Sequence, residues 1–567
     1  MVKSCIALVL VWKVVLADAL AQDILLTLHA DPYITPSQKE LVTFGLPLAP
    51  GILTDPSQLH IYQDGQPLAR AARAGLLWHW RDQSIRSLII QLHQMDMTQG
   101  SVQLTLTIKA SPVAADLIVE EQPHSLGWAK ADPINSGIFH PRVYALHSPD
   151  YLATTALIPP YAPISGHTHL TEFLSGQFSH WAGSLNYQES RAADWLFDRP
   201  SAFFKAYMAS GELRYLREAF LSKQFYFQYV RNDGSLPSRG GGSGCWTFKT
   251  VSCADGKYIY AQPAKLALAL SGDDSQWDPP LIVNMALQAD LGNHQPNTRQ
   301  RIYRENQPFT ERAAGLVGLT EVHAFEITGE ERLLYHFNER LDHLYAMQNE
   351  TTRWERFNNW LPKSGAFVHA WSVHEGHERE AQAATGQTDN RRFSPWMSEN
   401  IADFLWHSFQ ITQDERIPGM LKRLGDAIDR YGFRSRYLSG EQLEAQYEAR
   451  FDAQSRRACT GASDLATDLL YSASPFASDK AMIAAHEQYH WTDKHNIQII
   501  LPLALAYHFS EDPSDRKRLA ARISHIQAQW TQNESQNCAG VFGNTYRMWN
   551  WQHRSNSLAT WLWVQNH

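Results

Sequence analysis

Between Asp23 and about Glu121 apolar and polar residues alternate with a period of two. The runs Ile24-Leu-Leu-Thr-Leu-His29, Gln58-Leu-His-Ile-Tyr62, Ser87-Leu-Ile-Ile-Gln-Leu92 and Val102-Gln-Leu-Thr-Leu-Thr-Ile108 are bounded by Gly, Pro and Asp, with Asp64-Gly65 as a turn. Alternation of that kind puts one face of each strand in a core and predicts an antiparallel β-sandwich over 22–125. Residues 126–190 are mixed and carry several prolines, so they read as a connecting segment.

From about Asp194 the period changes to that of a helix, and a short mark recurs five times: Ser210-Gly211-Glu212, Ser271-Gly272-Asp273, Thr328-Gly329-Glu330, Thr412-Gln413-Asp414 and Ser510-Glu511-Asp512. Each closes an apolar, aromatic-rich stretch. Glycine just past a helix takes the left-handed backbone that lets the chain turn, and an acidic residue suits the positive start of the next helix. The marks therefore predict helical hairpins, the first with helices over 193–207 and 213–226 and the others starting near Lys257, Thr310, Pro395 and Asp493. Their separations are uneven, roughly 60 to 100 residues, which excludes a short fixed-period solenoid and requires long insertions around 360–394 and 435–492. Five or six such hairpins side by side make an (α/α) toroid over 191–567 with a cleft at one end.

The chain has 567 residues, 44% of them hydrophobic, enough for a large core and two domains. Its formal charge of −8 is spread without long runs of one sign, so there is no electrostatic footprint for nucleic acid or an anionic membrane. Residues 1–21 run from Met-Val-Lys through Cys5-Ile-Ala-Leu-Val-Leu-Val-Trp12 to Ala19-Leu20-Ala21 and read as a secretory signal peptide, giving a periplasmic or secreted protein with no membrane span. Four cysteines remain beyond it. An oxidising compartment permits two disulfides among Cys245, Cys253, Cys459 and Cys538, most simply 245 with 253 and 459 with 538, and their spacing fits no zinc ribbon.

The runs Val42-Thr-Phe-Gly-Leu-Pro-Leu-Ala-Pro-Gly51, Leu59-His-Ile-Tyr-Gln-Asp-Gly65 and Trp78-His-Trp-Arg-Asp-Gln-Ser-Ile-Arg86 resemble the β-domain that opens exo-rhamnogalacturonan-lyase-like proteins. The helical region resembles the (α/α) toroid that follows there and in several other polysaccharide lyases. The resemblance implies a carbohydrate-active enzyme, with β-elimination at a uronate as its leading chemistry. The particular polymer does not carry over.

Elimination at a uronate needs a group that neutralises the carboxylate, a base for the C5 proton and an acid for the leaving oxygen. His374 is the first choice for proton transfer, in Phe367-Val-His369-Ala-Trp371-Ser-Val-His374-Glu375, with Tyr187 as the other base. Tyr489 and His490 are candidates for the acid, with Trp491 and His495 beside them. Asn186, Arg191, Arg312 and His167 are candidates to hold the carboxylate, and His169, Glu311, His369, Trp371, Trp396 and Glu399 to line the substrate. Ordinary helix starts also explain part of this set: Thr310 is a natural N-cap, and Glu311 and Glu399 fall in first turns. No resident cofactor is called for, although a divalent cation is left open.

Three rivals accompany this reading. An inverting glycoside hydrolase on the same scaffold would draw two carboxylates from Glu311, Glu375, Glu399 and Asp493. A noncatalytic polysaccharide-binding or export factor would keep the aromatics and need no acid. A zincin would use His486-Glu487-Gln488-Tyr489-His490, but Asn496 stands where a third histidine ligand would follow, and the run reads better as the entry to the last hairpin. The expected partner is a polysaccharide or oligosaccharide, with oligomeric state open.

Overall fold

The computed structural model describes residues 23–112, 127–130, 135, 137–158, 163, 185–187, 192–195, 197–236, 256–273, 278–291, 310–349, 365–367, 393–433, 436, 439, 441, 469–470, 473, 495, 497–535, 549–550 and 553–554. In the N-terminal part the strands are β1 (Ile24–Ala30), β2 (Glu40–Pro47), β3 (Leu59–Gln63), β4 (Gln66–Pro67), β5 (Ala71–Leu77), β6 (Ile85–Met95), β7 (Ser101–Ile108), β8 (Trp128–Ala129), β9 (His140–Pro141) and β10 (Val143–His147). They form a sheet in the order β10-β1-β7-β3-β4, a second in the order β2-β6-β5, and the small pair β8-β9. All the pairings are antiparallel. Leu26 and Leu28 of β1, Leu104 and Leu106 of β7, Phe44 and Leu46 of β2, and Leu88, Ile90 and Leu92 of β6 meet in one core between the two larger sheets.

The alternating runs coincide with β1, β3, β6 and β7. Strand β10 lies beyond the expected boundary at 125, yet it completes the five-stranded sheet, with Leu28 opposite Ala145. Its sequence hides it because both faces are covered. Val143 and Ala145 point into the sheet core, whereas Tyr144 packs among helices, so no polar alternation survives.

The helices are α1 (Pro149–Thr154), α2 (Arg199–Ser210), α3 (Leu213–Phe227), α4 (Gln262–Ser271), α5 (Pro279–Leu291), α6 (Glu311–Thr328), α7 (Glu331–Asn349), α8 (Pro395–Thr412), α9 (Arg416–Tyr431), α10 (Ile500–Phe509) and α11 (Pro513–Ser535). Each of the five marks sits at the turn between α2 and α3, α4 and α5, α6 and α7, α8 and α9, or α10 and α11. In the first four the residue after the helix is left-handed: Gly211, Gly272, Gly329 and Gln413. The preceding hydroxyl works in both directions. Thr328 Oγ1 donates to the Ala324 carbonyl at 2.8 Å and accepts from the Glu330 amide at 3.3 Å, and Ser210, Ser271 and Thr412 repeat the arrangement. The fifth mark differs, because Ser510 is itself the extended cap residue.

Helices α2, α4, α6, α8 and α10 are buried almost all round, whereas α7 and α9 keep an exposed face. The buried helices run parallel. Glu311, Gly315, Gly318 and His323 of α6 meet Ser394, Asn400, Phe404 and His407 of α8 in the same order. The two backbones come this close because a Cβ at Gly315 would lie 2.3 Å from the Asn400 carbonyl carbon. Beyond α11, Trp549 returns to stack on Phe203 of α2 at 4.0 Å between ring centroids.

The β-domain docks on the C-terminal ends of the buried helices. Gly45 of β2 faces the last turn of α4, with Gly272 against Phe44 and Ile89 and Gly329 against His79. Arg217 of α3 donates to Asp31 at 2.7 Å, and the Tyr207 hydroxyl of α2 accepts from the His147 amide. Among the described residues no helix is long and apolar enough to cross a membrane.

Candidate functional site

The hairpin topology separates the two ends of the helical part. Short turns close the end that carries the β-domain. The long connections 228–261, 292–310, 350–394 and 432–499 all deliver the chain to the far end, where α4, α6, α8 and α10 begin. Helix N-termini carry unpaired amides and a partial positive charge, so they favour anions.

Five of the expected site residues gather there. Glu311 joins the starts of α6 and α8 by accepting from the Ser394 amide at 2.7 Å. Thr310 stands in the N-cap position of α6 but makes no side-chain cap bond. The Trp396 indole stacks on His495 at 3.9 Å between centroids and 8° between planes, and the Arg312 guanidinium lies 5.8 Å from the same indole. Trp396 is only 2% exposed, so the ring expected to be an open sugar platform has its face covered by the imidazole. Glu399 receives both of its 2.7 Å bonds from Arg554 of the C-terminal segment, which also reaches Asp403 at 3.3 Å. A carboxylate gripped in this way is engaged on both oxygens.

Tyr187 lies apart, packed against Trp195 and Phe225. Its hydroxyl donates to the Glu218 carboxylate and meets Ser222 Oγ at 2.7 Å, while Arg199 pairs with the same carboxylate at 2.6 Å. Burial, reinforced by the negative Glu218, holds the phenol well above its ordinary pKa. A tyrosine so placed is protonated and buried, which suits proton donation and opposes its expected role as base. Asn186 next to it is half-buried.

A chain of buried ionisable groups runs from this end to the β-domain. Arg554 links Glu399 to Asp403, Asp403 faces His407 at 3.5 Å, and the His407 ring meets that of His323 at 4.7 Å. His323 Nδ1 contacts Glu326 at 2.7 Å, which also takes Lys265 of α4 at 2.7 Å and Arg86 of β6 at 2.9 Å. Burial would raise the Glu326 pKa, but Lys265 and Arg86 outweigh it and hold the carboxyl well below its usual range. Burial brings Lys265 down to about 8 against the pull of Glu326, and burial with the neighbouring Lys265 brings His323 down to about 4. Both His323 and His407 are thus neutral at pH 7.

His323, Glu326 and His407 place ligand atoms within 4.8 Å of one another, as do Asp290, Glu321 and His336. Neither charge balance fits a divalent cation. Glu326 already carries two cationic partners, and Arg340 pairs with both Glu321 and Asp290.

His374, His369, Trp371, Tyr489, His490, Trp491, His167, His169 and Arg191 lie outside the described residues, as do Cys245, Cys253, Cys459, Cys538, the 1–21 segment and the zincin-like run. Sequence reasoning missed Asp403, His407, His323, Glu326 and Lys265. A signal existed: Glu399, Asp403 and His407 recur every four residues within a helix that carries no other ionisable side chain, which places three ionisable groups on one buried stripe.

Compared with known proteins, the chain matches no family model, no curated protein and no solved structure.

Proposed function

We propose that the protein is an exported carbohydrate-active enzyme, a lyase that cleaves a uronate-containing polysaccharide by β-elimination at the far end of the buried helices. One observation carries this reading. Every long connection leads into the N-termini of the buried helices, so the His-, Trp- and Tyr-rich segments 360–394 and 435–492 are tethered at the end where helix amides favour an anionic polymer. The return of Trp549 and Arg554 onto α2 and α8 supports closure of the hairpins into a toroid. In this reading His374 takes the C5 proton, Tyr489 or a histidine protonates the leaving oxygen, and Arg191 or His167 neutralises the carboxylate.

The engagement of Glu311 with a backbone amide and of Glu399 with Arg554 weighs against the hydrolytic rival, which needs carboxylates free to exchange protons. The test is to incubate the protein with a panel of uronate polysaccharides and follow the near-ultraviolet absorbance of the unsaturated product. A rise that His374→Ala abolishes in a folded protein is the expected result. Reducing ends without the chromophore would replace elimination by hydrolysis, and binding with neither signal would leave a polysaccharide-binding factor.

A further inference from the structure

A cavity of about 640 Å³ lies at the opposite end of the helices, where the turn between β5 and β6 meets the ends of α6 and α8. Its size falls within the roughly 300–1,000 Å³ of small-molecule sites. The β-domain supplies His79, Trp80 and Gln83. The helices supply Glu331 and Asn338 of α7 and Thr412 at the end of α8.

The chemistry of these walls is selective. The ends of α6 and α8 present carbonyl oxygens and a partial negative charge, while at the start of α7 the exposed Glu331 carboxylate sits against that helix's positive end and offsets it. Among the described residues that line the cavity there is no Lys or Arg. The wall is rich in acceptors and has no cation with which to meet an acid. The aromatic and aliphatic part, Trp80 with Phe325, Leu334 and Ile411, offers an apolar surface beside them. Gln83 holds a left-handed backbone at φ 60°, which an L side chain adopts at a cost, and its amide donates to the His79 carbonyl at 2.6 Å. His79 in turn lies 3.2 Å from the Ile327 carbonyl, so the turn is tied to α6.

We propose that this junction cavity is a second binding site, distinct from the far end, that takes a neutral, hydroxyl-rich ligand of mono- to disaccharide size. Sugar hydroxyls donate to Glu331 and the helix-end carbonyls and exchange bonds with the Asn338 and Gln83 amides, while the apolar face of a pyranose lies along the aromatic side. The inference does not depend on the elimination reading.

Isothermal titration of the intact protein with neutral methyl glycosides and disaccharides tests it, alongside the corresponding uronic acids. A saturable interaction with a neutral sugar is expected, weakened at least tenfold in Asn338→Ala and in Glu331→Gln, with the uronic acids binding more weakly to this site. Thermal unfolding of the variants, expected to stay close to the parent, separates loss of a contact from loss of the fold. The proposal is overturned if no neutral sugar binds, if the two variants bind as the parent does, or if the acids compete equally. Elimination activity on a uronate polymer is measured on the same variants and is expected to be unchanged, so either reading can fail without the other.

Discussion

Arg86 of β6 donates to Glu326 of α6 at 2.9 Å across the junction between the sheets and the helices, and its other visible bond goes to the Leu157 carbonyl. Both partners are buried, and the guanidinium also lies 4.4 Å from the Trp78 ring and 4.9 Å from the Trp80 ring. One side chain therefore joins the β-domain, the link at 157 and the polar chain inside the helices.

Arg86→Leu should destabilise the protein by about 3 kcal/mol, because removing one partner of a buried pair leaves the other charge undercompensated. Lys265 still neutralises Glu326, which keeps the loss toward the low end. Denaturant unfolding measures it, and a variant within about 0.5 kcal/mol of the parent would remove the junction role.

Acid should destabilise the fold from about pH 6.5 downward. Burial lowers His147 and His323 to about 4 and His553 to about 3, whereas the unfolded chain holds its histidines near 6.5. Between those values the unfolded state binds protons that the folded state refuses, so stability falls as pH falls, by about 3 kcal/mol for each of His147 and His323. Asp198, raised by burial to about 6, opposes this, since its folded form gains a proton first. Unfolding free energies at pH 7, 6 and 5 test the balance; a flat profile would contradict it.

Gly45→Ala should cost about 3 kcal/mol, the upper range for overpacking, since the new Cβ would lie 2.0 Å from the Ala269 carbonyl oxygen. Gly65→Ala is the control. Its backbone is left-handed at φ 77° but nothing lies near, so strain alone should cost about 1 kcal/mol. Equal losses would mean that the close approach of β2 and α4 is not what constrains residue 45.

Thr328→Val keeps the shape and removes the hydroxyl that joins the Ala324 carbonyl to the Glu330 amide, for an expected loss of about 1 to 2 kcal/mol. Ser510→Ala, at the fifth mark, should stay within about 0.5 kcal/mol, because its buried hydroxyl has no hydrogen-bond partner among the described residues. Thermal melts of the two variants side by side decide whether the repeated turn carries energy or only direction.

Much of the scaffold is local and so was legible. Alternation marked β1, β3, β6 and β7, and the hydroxyl-turn-acid marks fell at the helix turns, because a strand period and a left-handed cap depend on residues a few positions apart. The starts of α6 and α8, at Glu311 and Pro395, followed from Thr310 and Ser394-Pro395 for the same reason. Trp396 and His495 were each singled out, but not their stack, and Glu399 was read as an acid without its clamp Arg554.

What the amino-acid order by itself determined is the sequence of strands, then helical hairpins, with long insertions between particular pairs. Tertiary structure decided which partners those elements found. It put β10 back into the first sheet, set the β-domain on the helix C-termini, sent the long connections to the opposite end, and aligned Glu399, Asp403, His407, His323 and Glu326 into one buried chain. The reason is physical: a turn or a strand face is encoded within one segment, whereas a buried charge is tolerated only where a partner from a distant segment arrives to balance it.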